Sequence, residues 1–212
     1  MQAIALQTSQ LGRHLDYLTS MYRLRRRIFK DRLDWSVSVS GDLEIDIYDA
    51  LGPTYLLAIS DDKEVMGCVR LLPTTGPNML ADTFTNLLGG KTAPRDDRIL
   101  ESSRFCVDTE RAAAPGQHGL NRATFVLFAA MIEAIRERGA RSIVTVTDAR
   151  MERILRRAGW PLERLCEPQP LEQTIALAGF LHDSDQALEA MYRQAGVDGP
   201  VLIVPGSERK AA

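Results

Sequence analysis

Residues 42–49 read DLEIDIYD and bring four carboxylates, Asp42, Glu44, Asp46 and Asp49, within eight positions. Just upstream, RLRRRIF carries Arg23, Arg25, Arg26 and Arg27, with Phe29 and Trp35 between the two charged stretches. Close opposite charges of this kind suit a small zwitterion that bears an extra positive charge. Carboxylates would meet its cationic groups, an arginine fork its carboxylate, and aromatic faces a cation or a flat ring. A hydrated strand edge and a solvated helix face satisfy the same pattern. Calcium does not fit, because an EF-hand loop begun at Asp42 needs glycine at its sixth position, where Ile47 stands.

Two more segments set charge inside apolar strands. In ILESSRFCV, Glu101 is costly unless paired, and Arg104 is its nearest partner. A regular strand turns 101 and 104 to opposite faces; a bulge would bring them to one face, and bulges cluster beside active sites. An ordinary interior ion pair reads equally well. GCVRLLP likewise buries Arg70, which demands an anionic partner. The chain has no Ser/His/Asp or Cys/His arrangement, no GxGxxG and no P-loop. The stretch after RFCV, DTERAAAPGQHGLNRA, lacks the spacing of the loop that cradles pyrophosphate in acetyl-CoA-dependent acetyltransferases.

The elements that must position these residues follow from apolar spacing. Leu18, Met21, Tyr22, Leu24, Ile28 and Phe29 predict a helix within 14–33. The alternation of Leu43, Ile45 and Ile47 with Glu44, Asp46 and Tyr48 predicts an extended strand with its acids on one side. TYLLAIS, DDKE and VMGCVRLLP read as a hairpin, then a Pro/Gly loop at 73–78 and a short helix in ADTFTNLLGG stopped by Gly89 and Gly90. RILESSRFCV is a strand and 108–120 a loop. Asn121 caps a helix that carries Phe125, Phe128 and Ile132 and ends at Gly139. SIVTVT, QTIALAG and PVLIVP are strands, ARMERILRRAG is a helix, and another helix falls near 184–195. Strands alternating with helices predict an α/β fold: one three-layer α-β-α domain over residues 1–205 with a mixed twisted sheet, and a disordered tail at 206–212.

Bulk properties narrow the function classes. The chain has 212 residues, 45% apolar content and a net charge of −2, enough for one buried core and no global case for nucleic acid. Three scattered cysteines and three isolated histidines give no metal-ligand spacing, and read as a reduced, cytoplasmic protein without a metal. No apolar run reaches the ~20 residues of a membrane helix, and MQAIALQTSQLGRHL has no secretory-signal pattern.

Taken in order, Arg25, Phe29, Trp35, Glu44, Asp46, Asp49, Arg70 in GCVRLLPTTGPNML, Phe84, and Glu101 with Arg104 in ESSRF resemble the acyl-homoserine-lactone synthases, the autoinducer synthases of quorum sensing. RLLPT and ERILRRAGW extend the resemblance, which runs from about residue 20 to about 180. It implies an acetyltransferase-like fold in which the acyl chain enters where two strands splay. It also implies S-adenosylmethionine as a substrate rather than a cofactor, and an acyl thioester as donor. The residue roles it implies are Glu101, Ser103 and Arg104 for catalysis, and Arg25, Phe29, Trp35, Asp46, Asp49, Arg70 and Phe105 for S-adenosylmethionine. Glu44 and Phe84 support the site, and Thr145 sits in the acyl pocket. On the helix 149–158, Arg150, Arg153 and Arg157 recur on a face away from its apolar stripe. With an acyl carrier protein as donor they would be its docking face; acyl-CoA is the alternative donor. A plain N-acyltransferase and a non-catalytic relative are the rival readings.

Overall fold

The computed structural model describes residues 1–111, 121–171 and 174–205. The segment 112–120, which holds most of the stretch lacking the pyrophosphate-loop spacing, and the tail 206–212 lie outside the described residues.

The strands are β1 (Gln2–Leu6), β2 (Val39–Ser40), β3 (Leu43–Glu44), β4 (Thr54–Ile59), β5 (Val65–Pro73), β6 (Ile99–Val107), β7 (Ser142–Asp148), β8 (Glu163–Arg164), β9 (Gln169–Leu171), β10 (Thr174–His182) and β11 (Leu202–Ile203). The helices are α1 (Leu15–Arg25), α2 (Met79–Asp82), α3 (Arg122–Glu137), α4 (Ala149–Ala158) and α5 (Asp185–Ala195). The main sheet runs β11-β1-β4-β5-β6-β7-β10-β8, with β9 also on β10. β1–β11 and β6–β7 are parallel and the other pairs antiparallel. This is a mixed α/β fold, and a core fills each face. On one face α3, α4 and α5 pack with Trp160 against the sheet. On α3 every residue from Ala123 to Ile135 except Glu133 is buried, because the sheet and α5 cover it from two sides. On the other face α1 buries Leu18, Met21 and Leu24 against Leu57, Val65 and Cys68. Each such side chain contributes roughly 1.5–3 kcal/mol by leaving water.

The helix expected within 14–33 is α-helical only to Arg25. A π-helix, Arg26–Arg32, continues it, with Leu33 N–H reaching Ile28 C=O at 3.0 Å. The wider turn keeps Ile28 and Phe29 buried while the chain swings out at Asp34, whose φ is +50°.

Residues 42–49 do not form the extended strand that their alternation predicts. Only Leu43–Glu44 pairs, with β2, and Ile47–Leu51 is a 3₁₀ turn. Asp46 caps that turn: its carboxylate accepts from Tyr48 N–H while its own N–H donates to Asp49, each at 2.9 Å. Reciprocal capping outcompetes extension here, and Ile47 is left 76% exposed. Other elements, β2 and β9 among them, escaped the pattern. The MQAIALQ stretch forms β1 inside the sheet. α2 starts at Met79, earlier than expected, under the cap residue Asn78. The two-residue β8 is too short to show a period.

β6 carries a bulge. Cys68 pairs Cys106 and Arg70 pairs Ser103, so Arg104 and Phe105 both stand opposite Val69, and Arg104 adopts φ +56°. Beyond the bond between Ser102 and Thr145 the parallel pair β6–β7 ends: β6 stays with β5, and β7 with β10 as far as Asp148. The two strands therefore splay from Ser102 and Thr145. No helix among the described residues is long and apolar enough to cross a membrane.

Candidate active site

The bulge puts Glu101, Ser103 and Arg104 on one face of β6, beside Arg70 of β5. Under that face Arg25, Arg70 and Arg104 interlock with Glu44, Asp46 and Asp49. Arg25 grips Asp49 bidentately at 2.8 and 2.9 Å and donates from Nε to Glu44 at 2.5 Å. Arg70 grips Asp46 at 2.5 and 3.0 Å, reaches Asp49 at 2.9 Å, and donates from Nε to Ser103 Oγ at 3.0 Å. Arg104 bridges Glu44 at 3.0 Å and Asp46 at 2.7 Å. Three positive and three negative side chains cancel. Four of the six are at most 4% exposed; Asp46 and Arg104 are 10% and 11% exposed and form the outer corner.

Arg25 is fully buried, so its fork belongs to Asp49 and Glu44 rather than to a ligand carboxylate. Asp49 accepts five donors, the fifth being the Tyr55 hydroxyl at 2.7 Å, which leaves it no room for a ligand ammonium. Burial alone would raise the Asp49 pKa, but the arginines Arg25 and Arg70 hold it well below the usual carboxylate range. The Tyr55 phenol is pushed far up by burial and by the Asp49 charge. Asp49 therefore stays ionised and Tyr55 stays a neutral phenol across the physiological range.

Glu101 behaves differently. It is 1% exposed and does not pair Arg104; Oε1 accepts from Leu80 N–H at 2.7 Å, and Oε2 has no hydrogen-bond partner. Burial lifts its pKa to about 7, against the pull of the Leu80 and Met79 amides and the Arg70 charge. A carboxyl group poised near neutrality, with one free oxygen, can take a proton and give it back.

Phe29 and Trp35 stack at 5.3 Å between ring centroids, and the Arg104 guanidinium lies 5.6 Å over Phe29. Trp35 is the outer ring of the pair. Phe84 packs on Tyr48, Leu72 and Met79. Phe105 does not join this group: the bulge turns it to the opposite face, where it stacks on Phe128 of α3 at 5.2 Å. Thr145 is buried at the splay point and donates to Ser102 C=O at 3.1 Å. Arg150, Arg153 and Arg157 are exposed on α4, and none of the described ion pairs involves them. Glu152, between them, is held by Arg164 at 2.6 Å.

Tyr55, Met79 and Leu80 escaped the sequence reading. The Met79 sulfur lies 3.1 Å from Arg70 Nη2 and 3.5 Å from Arg104 Nη1, and so joins the cluster to the Glu101 turn. The motif RLLPTTGPNML was the available signal, since it ties Arg70 to that turn. Cys68 and Cys106 face each other across β5–β6 as free thiols, Sγ to Sγ 3.5 Å. A cavity of about 370 Å³ lined by Glu133, Tyr192 and Leu202 lies elsewhere. There Glu133 is engaged by the Tyr192 hydroxyl and the Val201 and Leu202 amides, which marks it as a structural staple.

The family model described as autoinducer synthase matches residues 9–191. An acyl-homoserine-lactone synthase of Agrobacterium fabrum is 46% identical over 181 residues, 85% of this chain and 86% of its own. Among solved structures, the CoA-dependent acyl-homoserine lactone synthase BjaI, with S-adenosylmethionine and isopentyl-CoA, superposes with a TM-score of 0.86 at 25% identity, covering 98% of this chain and 94% of that one. An acyl-CoA N-acyltransferase from Pseudomonas aeruginosa shares the fold alone, with a TM-score of 0.54 at 16% identity over 84% and 97% of the two chains.

Proposed function

The chain belongs to the autoinducer synthase family, and from that premise we propose that it joins S-adenosylmethionine to an acyl thioester, with Glu101 as the base, and releases an N-acyl-homoserine lactone and methylthioadenosine. The observation that supports Glu101 in this role is its isolated, half-satisfied carboxylate beside a charge-neutral arginine cluster.

The substrate ammonium must lose a proton before its nitrogen can attack. Ionised Glu101 takes that proton, directly or through one water. The amine attacks the thioester carbonyl; Ser103, which accepts from Arg70, keeps its own proton to donate to the carbonyl oxygen. Backbone N–H groups at the bulge supply the remaining oxyanion donors. Collapse expels the thiol, which recovers the proton held by Glu101, and the attacking nitrogen gives up its second proton through the freed Glu101 carboxylate to solvent, leaving the neutral amide. The substrate carboxylate then attacks the carbon next to the sulfonium and closes the lactone as methylthioadenosine leaves. Sulfonium is a good leaving group, so this step requires orientation above all. Asp46 and Arg104, at the outer corner, meet the ammonium and carboxylate, and Trp35 with Phe29 offers the face for adenosine or sulfonium. No cofactor enters. Expression in a host that makes no such signal, followed by mass spectrometry of the medium, tests the reading; absence of any acyl-homoserine lactone would refute it.

The acyl chain fits the splay between β6 and β7, and a medium-length 3-oxo chain suits Thr145. Its hydroxyl donates to Ser102 C=O and would exchange that bond for the 3-oxo group. Thr145→Val is expected to shift the product ratio toward unsubstituted chains by roughly two- to tenfold. An unchanged ratio in competition assays would dismiss the contact.

For the donor, an acylated acyl carrier protein suits the exposed arginines of α4, since an acidic partner needs a basic dock. Reversing Arg153 and Arg157 to Glu should raise KM for the acylated carrier about tenfold at low salt, less at high salt, and leave KM for S-adenosylmethionine unchanged. Coenzyme A is the second reading, favoured by the likeness to the CoA-dependent BjaI. Faster turnover of acyl-CoA at equal concentration would select it.

A further inference from the structure

α2 has four residues, Met79–Asp82, too few for its own hydrogen bonds to hold it. Asn78 holds it from outside. That side chain is 2% exposed: Oδ1 accepts from Ala81 N–H at 3.0 Å and Nδ2 donates to Gly76 C=O at 3.0 Å. The Asn78 N–H in turn donates to Asp82 Oδ2 at 3.0 Å. Upstream, Thr74 Oγ1 binds the carbonyls of Asp96 and Ile99 at 2.8 and 2.9 Å and fixes the loop to the start of β6. These bonds aim the Leu80 amide at Glu101 Oε1, 2.7 Å away. The amide that Asn78 caps, Ala81 N–H, is thus the neighbour of the amide that touches the carboxylate.

We propose that Asn78 is a positioning residue for the base: by capping this turn it aims the Leu80 amide at Glu101 and thereby sets the pH at which Glu101 can accept a proton. The proposal rests on the reading of Glu101 as the base. Other charges facing Glu101 are few. Arg70 of β5 favours its ionised form and Asp82 of α2 disfavours it. Arg104 of β6 shares its face but is engaged by Glu44 and Asp46. β7 meets Glu101 at Val144 and brings no charge there. The Leu80 amide, 2.7 Å away, is therefore the closest donor to the carboxylate, with the Met79 amide beside it in the same turn, and the aim of that turn bears on how readily the charge is borne.

The test is the pH profile of methylthioadenosine release by the purified protein, with S-adenosylmethionine and an octanoyl thioester of acyl carrier protein or coenzyme A, whichever the parent turns over faster. The parent should show an acid limb near the Glu101 pKa of about 7. Asn78→Ala is expected to move that limb up by about one pH unit, with ~10-fold less activity on the limb and recovery toward the parent rate above it. Asn78→Ser, which keeps a capping oxygen, should restore the limb. If Asn78→Ala does not fold, Asn78→Gly removes the same bonds at lower cost to the cap and carries the measurement. An unmoved limb, or an equal loss at every pH, overturns the positioning role. A limb that persists in Glu101→Gln overturns instead the reading of Glu101 as base, so the two failures are told apart.

Discussion

Glu101→Gln is expected to slow amide formation by about 10²–10⁴-fold, the usual worth of a general base, while the folded protein still binds S-adenosylmethionine. The substitution preserves shape and the acceptor for the Leu80 amide but cannot take a proton. Stability should move the other way. Glu101 has a folded-state pKa of about 7, raised above the 4.5 of an unperturbed glutamate. The folded state therefore holds the proton more tightly than the unfolded chain. Its contribution is full below the unfolded pKa and is lost as pH rises through about 7. Above that pH the parent carries a buried, half-satisfied charge that Gln does not. At pH 8 the variant should be the more stable by up to about 3 kcal/mol, with the difference vanishing toward pH 5. Chemical denaturation at the two pH values, alongside single-turnover rates, reads both effects. Near-normal turnover would remove Glu101 from the mechanism.

Arg70→Met should cost about 3–5 kcal/mol of folding stability, because it strands Asp46 and Asp49 in the interior. For a chain of this size that is a fall of roughly 10 °C in Tm. The effect is so large because Arg70 is fully buried and grips both carboxylates as well as Ser103. It should depend on pH. The folded-state pKa of Asp49 is depressed, so the stability it brings is present above the unfolded pKa near 3.8 and fades as pH falls below it. The gap between parent and variant should accordingly shrink as pH falls below about 3.8, where the parent loses the Asp49 contribution. Arg70→Lys keeps the charge but loses the fork, and should fall between the two. A loss under 1 kcal/mol at neutral pH would mean that the cluster behaves as a set of surface ion pairs.

The demand for partners was legible in the sequence; the partners themselves were only partly so. A buried Arg70 required an anion, and the acidic stretch 42–49 supplied Asp46 and Asp49. A buried Glu101 pointed to Arg104, three residues on, yet the bulge that brings both to one face gives Arg104 to Glu44 and Asp46. The partner of Glu101 is a backbone amide, and every residue except proline has one, so no side-chain pattern could reveal it. The alternation of Leu43, Ile45 and Ile47 suggested a strand because periodicity is blind to the reciprocal cap of Asp46 and Asp49. Phe105 looked equivalent to its neighbours until the bulge shifted its face. The hairpin β4–β5 and the capped helices α3 and α5 were readable, since their apolar periods and end signals agree.

The account is tested most directly by following one reaction of the purified protein with S-adenosylmethionine and an acyl thioester, counting three products at once: free thiol, methylthioadenosine and N-acyl-homoserine lactone. It predicts that all three appear in equal amounts and at one rate, and that Glu101→Gln suppresses all three together because deprotonation precedes both bond-forming steps. Thiol release with no matching methylthioadenosine would identify a plain N-acyltransferase and contradict the account.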